Sequence, residues 1–113
     1  MTFSDVDRST TGSEVILINV VEVNDGLQKR AVEILEETVR YVSTAYPSFR
    51  WSRLYVSTDG RTVVNQALWD NQDDFQKLFS DGEFLALYNQ LSETGRWEYH
   101  LYKVAVSVYG ATG

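Results

Sequence analysis

Residues 49–69 read FRWSRLYVSTDGRTVVNQALW, and this stretch decides the fold. Phe49 to Ser57 and Arg61 to Trp69 are two strand-like runs joined by Thr58-Asp59-Gly60. Asp-Gly between alternating runs is a strong hairpin signal, because both residues tolerate the backbone angles a tight reversal demands. Two antiparallel strands cannot stand alone in water, so the flanking sequence must supply further strands and a cover.

Upstream, Glu14 to Val23 is a β-branched run that is apolar on both alternating faces. Ile16, Ile18 and Val20 form one face; Val15, Leu17, Val21 and Val23 form the other. Such a strand is buried on both sides. Asn24 or Asp25 is the predicted N-cap of a helix whose Leu27, Ala31, Ile34, Leu35, Val42 and Ala45 recur at helical spacing. Pro47 stops it. Downstream, Asp70 or Asn71 is the next N-cap, followed by Asp73 and Asp74 in a first turn where the helix dipole favours negative charge. Phe75, Leu78 and Phe79 begin an apolar face that Asp81-Gly82 interrupts and Phe84, Leu87, Tyr88 and Leu91 resume. Gly95 closes it, and Trp97 to Tyr109 is predicted as one long final strand.

Strand, helix, hairpin, helix, strand gives an α+β, ferredoxin-like βαββαβ fold: an antiparallel sheet with both helices on one face. The uncovered face is expected to carry Ile16, Ile18, Val20, Leu54, Val56, Val64 and Leu68. Leaving several hundred Å² of such surface wet costs on the order of 10 kcal/mol at about 25 cal/mol per Å². A second copy stacking sheet on sheet removes that cost, so a homodimer is expected.

The 113 residues fit a single domain over 14–110, preceded by a polar, flexible leader over 1–13 that lacks the features of a signal peptide. A formal charge of -6 argues against nucleic acid and against an anionic membrane surface. No apolar run approaches the length of a membrane span, and the expected compartment is the cytoplasm. With no cysteine and one histidine, His100, disulfides, thiolate metal sites and histidine metal clusters are excluded within the chain. No metal site is expected. No glycine-rich loop offers a nucleotide a seat, and no serine stands in an elbow motif.

What remains is a set of polar and aromatic residues on predicted strands. Alternation puts Val63, Asn65, Ala67 and Trp69 on one face of the fourth segment. Asn65 is thus an amide among apolar neighbours. It either pairs with Asn19 or a trapped water, or faces a cavity and holds a substrate oxygen. Trp69 is a core residue or an apolar wall with one donor, suited to a flat aromatic ligand. Asn19, between Ile18 and Val20, poses the same alternatives as Asn65. Trp51, Tyr55, Tyr88, Trp97 and Tyr99 add aromatic weight compatible with an aromatic-lined pocket.

The element order, with Pro47-Ser48-Phe49, Ser57-Thr58-Asp59-Gly60 and Val63-Val64-Asn65 through Trp69, resembles the antibiotic biosynthesis monooxygenase family of dimeric α+β barrels. The likeness spans Val15 to Tyr109 and points toward the small quinone-forming enzymes of aromatic polyketide pathways. It implies oxidation of phenolic or anthrone-type polyketides to quinones by molecular oxygen, with no metal, flavin or haem. It carries the catalytic asparagine onto Asn65 and the tryptophan onto Trp69. A tyrosine of the quinone-formers stands here as Phe75, which cannot hydrogen-bond, so proton handling would pass to Tyr88, Tyr55 or His100. The substrate-binding set implied is Asn19, Trp51, Tyr55, Phe75, Tyr88 and His100. The haem-degrading branch shares Asn19 and Trp69 but places its ligating histidine at Tyr88, so haem chemistry is not expected. A cyclase or isomerase using the same cavity, and a non-catalytic ligand-binding dimer, are the alternative readings.

Overall fold

The computed structural model describes residues 6–7 and 12–111. Four strands build the main sheet: β2 (Val15–Val23), β3 (Phe49–Val56), β4 (Thr62–Trp69) and β5 (Gly95–Tyr102). Their order is β3-β4-β2-β5, all pairs antiparallel. A two-residue strand, β1 (Val6–Asp7), pairs separately with β6 (Ser107–Val108). The rest of the expected leader before Gly12 lies outside the described residues.

Helix α1 (Gln28–Ala45) buries Ala31, Ile34, Leu35, Thr38 and Val42 against the sheet. The second helical region is broken, as the Asp81-Gly82 interruption requires. It runs as α2 (Gln72–Gln76), a 3₁₀ turn over 77–80, α3 (Gly82–Tyr88) and a 3₁₀ turn over 89–93. Asn71 caps α2 by accepting from the Asp74 amide, and Asp81 caps α3 by accepting from Glu83 and Phe84. Both helical layers cover the face that carries Val15, Leu17, Val21, Val63, Ala67 and Trp69, the buried positions of β2 and β4. Gly95 is required where β5 starts, because a Cβ there would meet the Glu22 carbonyl oxygen at 1.9 Å.

Three expectations are corrected. Neither Asn24 nor Asp25 caps α1; Leu27 occupies the cap position without a side-chain bond, and the Asn24 carbonyl accepts from the Leu27 amide instead. The final strand is not continuous to Tyr109. Pairing with β2 ends at Tyr102, opposite Ile16 near the start of β2, and ladder pairing resumes only at β6, against β1. Leu54 and Val56 do not lie on the uncovered face: they pair with Asn65 and Val63, on the helix side. The cause is a bulge between Phe49 and Trp51, where one extra residue reverses the alternation for the rest of β3.

Candidate active site

The helix-covered face does not close completely. Between β2, β4, β5 and the helices lies a cavity of about 40 Å³. Its floor is sheet: Leu17, Asn19, Asn65, Ala67 and Trp69. Thr38, Val39 and Val42 of α1 form one wall; Phe75, Leu78, Phe79, Phe84 and Tyr88 of the second helical region form another. None of these lining residues carries a charge.

Antiparallel register sets the polar heads side by side. Asn19 on β2 and Asn65 on β4 are direct cross-strand partners, and Tyr99 on β5 faces Asn19 from the other side. The two amides nevertheless do not bond to each other. Asn19 donates from Nδ2 to the Tyr88 hydroxyl at 3.0 Å, and its Oδ1 is buried with no partner. Asn65 Oδ1 accepts from the Ser52 hydroxyl. That contact engages the acceptor end of the Asn65 amide and leaves the Nδ2 donor without a partner among the described residues. Burial raises the pKa of Tyr88, with the nearby Tyr99 adding to the effect and the Asn19 bond opposing it. At neutral pH Tyr88 is therefore a neutral phenol, a donor rather than a base.

Trp69, 1% exposed, anchors the aromatic floor. Its indole meets Tyr46, Phe49 and Phe75 edge-on at 5.8, 5.7 and 5.7 Å between centroids. Phe84 stacks on Tyr88 at 5.1 Å, and Phe79 stacks on Tyr99 at 5.6 Å. The helical cover is fastened by Asp81, whose Oδ2 accepts from Tyr41 at 2.7 Å and Tyr46 at 2.6 Å while Oδ1 caps α3. These bonds hold the Asp81 carboxyl down at about 2, and the carboxylate pushes both tyrosines up to about 12, with burial the larger cause for Tyr46.

Of the residues singled out from sequence, Asn19, Asn65, Trp69, Phe75, Tyr88 and Tyr99 converge on this cavity, while Trp97 packs against the neighbouring core cluster. Trp51, Tyr55 and His100 do not. Trp51 pairs with Leu68, Tyr55 with Val64 and His100 with Ile18, so all three belong to the opposite face. There Tyr55 donates to Gln66 at 2.8 Å, Trp51 carries Arg53 over its ring at 4.8 Å, and His100 meets Glu98 at 2.9 Å. The bulge in β3 again explains Trp51 and Tyr55, which strict alternation from Phe49 would have turned inward. Sequence reading missed Ser52, whose only signal was a small polar residue two places from a buried amide's cross-strand neighbour. It also missed Phe79 and Tyr99 as a pair, since nothing in sequence brings those segments together. Among the described residues no group of three or more histidine, cysteine or acidic side chains is placed to hold a metal ion. No helix among them is long and apolar enough to cross a membrane.

Fold and cavity together define a class: ferredoxin-like α+β chains with an aromatic pocket between sheet and helices. Solved structures share this fold. SnoaB from Streptomyces nogalater, a cofactor-independent oxygenase, is 23% identical with a TM-score of 0.72, over 80% of this chain and 92% of its own. The monooxygenase from the ActVA-Orf6 gene of Streptomyces coelicolor, solved with the ligand nanaomycin D, is 23% identical with a TM-score of 0.69, over 88% of this chain and 90% of its own. Rv0793 from Mycobacterium tuberculosis is 17% identical with a TM-score of 0.66, over 88% and 99%. No protein-family model matches the sequence, and no curated protein matches it.

Proposed function

We propose that the protein is a cofactor-independent monooxygenase that oxidises a phenolic or anthrone-type aromatic polyketide to a quinone, working as a cytoplasmic homodimer. The observation that carries this reading is the pairing of an uncharged, aromatic-walled pocket with three polar heads, those of Asn19, Asn65 and Tyr88. The structures of SnoaB and the ActVA-Orf6 monooxygenase support the same direction by fold.

The chemistry follows from what the pocket offers. An anthrone loses a proton from its methylene carbon to give an electron-rich anion whose charge rests on the ketone oxygen. The pocket supplies no ionised base, so the proton passes to water and the protein acts by stabilising the anion. Asn65 Nδ2 and the Tyr88 hydroxyl are the donors for that oxygen, in surroundings where water does not compete. The anion transfers an electron to oxygen, and the carbon radical and superoxide combine into a carbon-bound peroxide anion. That anion takes back the proton from water to give the hydroperoxide, and loss of water leaves the second carbonyl. One oxygen atom enters the product and the other leaves as water. Phe75 contributes shape alone, and Trp69 gives the ring system a flat wall.

The face turned away from the helices supports the dimer. Ile16, Ile18, Val64 and Leu68 are partly exposed there, beside Val20 at 37% and Tyr55 at 45%. The test of function is oxygen uptake with anthrone in the presence of a chelator and without added flavin. Stoichiometric uptake with anthraquinone as product is expected. Product formation that consumes no oxygen would instead identify a cyclase or isomerase, and binding without turnover a ligand carrier.

A further inference from the structure

The cavity is too small for the ligands its walls suit. An apolar cavity of roughly 150 Å³ is what holds one benzene ring, while a single water needs only about 10–15 Å³. At about 40 Å³ the pocket takes a few waters and no ring system. A wall must move before anything flat can enter.

Most of the walls are held. Asn19, Asn65, Ala67 and Trp69 sit on strands bonded on both sides. Thr38, Val42, Phe75, Leu78 and Phe84 are buried. Phe79 and Tyr99 are different: at 38% and 37% exposed they are the outermost lining residues, and they reach the pocket from the surface. Tyr99 stands on β5, the strand at the end of the sheet order, so its backbone is paired on one side only. Phe79 stands in the short 3₁₀ turn over 77–80, between α2 and the Asp81 cap. Their rings stack at 5.6 Å and 14°, and both lean edge-on against Phe75 at 5.6 and 5.7 Å. Behind them Phe75 meets Trp69 edge-on, so parting the stacked rings opens a path along Phe75 to the floor. A rotamer change of exposed rings takes place in picoseconds to nanoseconds and disturbs no backbone hydrogen bond.

The geometry points to the Phe79–Tyr99 stack as the door of the pocket, the pair that admits a flat aromatic ligand and limits its width. The inference rests on the ligand-binding reading of the pocket, yet its readout is access and not oxidation. A rival door exists at the opposite rim, where Val39 and Phe49 are shared with a shallow depression bordered by Trp51 and Ser52. Phe49 packs on Trp69 there, which makes that rim a supporting wall.

Stopped-flow quenching of tryptophan fluorescence by anthraquinone-2-sulfonate separates the two. Phe79→Ala is expected to raise association and dissociation rates together, about tenfold each, with little change in Kd. A residue that merely contacts the ligand would change dissociation alone, and that result overturns the proposal. So does an association rate that rises in Val39→Ala and not in Phe79→Ala. Should Phe79→Ala fold poorly, Phe79→Leu, which keeps bulk and loses the stack, carries the same expectation, as does Tyr99→Ala from the other side. Absence of binding by the parent and all variants also overturns it. Normal gating with no oxygen uptake from anthrone leaves the door standing and rejects the monooxygenase reading instead.

Discussion

The two faces of the central sheet carry similar residue types and put them to different uses. On the helix side, Asn19 and Asn65 are buried and paired to Tyr88 and Ser52, with Trp69 packed beneath three rings. On the other side, Trp51, Tyr55 and His100 keep company with Arg53, Gln66 and Glu98 and remain partly or largely exposed. At Asn65 the Ser52 hydroxyl engages the acceptor end in buried surroundings, which leaves the donor end of the amide for a ligand. The same aromatic surface, left open beside β-branched residues, becomes something to be covered. On the reading proposed above, chemistry belongs to one face and assembly to the other.

The largest expected effect tests assembly. Ile18→Asp puts a charge in the middle of the uncovered face, between Gln66 and His100, where stacking a second copy would strip it of water. Light scattering is expected to show the parent at twice 12.9 kDa and the variant as monomer or aggregate. A parent of monomer mass at micromolar concentration would remove the dimer and leave that face unexplained. The next effect tests chemistry. Asn65→Ala removes the unused donor, and turnover of anthrone is expected to fall about a hundredfold, the usual loss of about 3 kcal/mol for one such group. His100→Ala, on the opposite face, is expected to leave turnover unchanged. Melting curves on the same samples separate a lost donor from a lost fold, and equal turnover in parent and Asn65→Ala would move the site elsewhere.

Much of this division was readable from sequence, and the failures share one cause. Period-two alternation placed Asn19, Asn65 and Trp69 correctly because β2 and β4 pair without interruption across eight residues. It misplaced Leu54 and Val56, and drew Trp51 and Tyr55 toward the pocket, because a bulge leaves no mark in the pattern of polar and apolar residues. Arg50, the residue the bulge inserts, looks like any other solvent-facing position. The Asp59-Gly60 turn was legible because the chemistry is local: Gly60 takes φ 78 and Asp59 accepts from the Arg61 amide. The contacts that complete the pocket, Ser52 with Asn65 and Phe79 with Tyr99, join segments whose meeting depends on register and helix placement. No local propensity reports them.

Ser52 offers a finer version of the chemical test. Its hydroxyl holds the acceptor end of the Asn65 amide, so its loss frees the amide to rotate and present either end to the pocket. Ser52→Ala is expected to lower turnover roughly fivefold, in keeping with about 1 kcal/mol for one hydrogen bond, while Ser52→Thr restores it. KM should change little, because the ring system still meets the same aromatic walls. A fall in turnover that Ser52→Thr fails to recover would assign the effect to packing.

The smallest expected effect concerns the clasp that holds the helical cover, and its sign can be worked out from both partners. Asp81 titrates at about 2 in the folded chain against an ordinary 3.8, with the Tyr46 and Tyr41 hydroxyls the leading causes. A depressed folded pKa means that its stabilisation is fully present above about pH 4 and is lost as pH falls from there toward 2. Tyr41 and Tyr46 titrate at about 12 against an ordinary 10.0. Raised folded values mean that their stabilisation is present below pH 10 and is lost as pH rises toward 12. One clasp thus loosens at both ends of the pH range, by different members. All three groups are solvent-accessible enough for water and salt to screen them, so a shift of a few degrees in melting temperature is the expected scale. Asp59 and Asp74, which the Ser57 hydroxyl and the Lys77 ammonium hold below the ordinary value, have shares in the same acid limb. Asp81→Asn should leave those and remove the share of Asp81 between pH 4 and 2, because the amide cannot titrate. It should also shrink the alkaline limb, because the phenols lose the carboxylate that raised them. An acid limb that survives intact in Asp81→Asn would show that another carboxylate governs stability there, and that the cover over the pocket is fastened elsewhere.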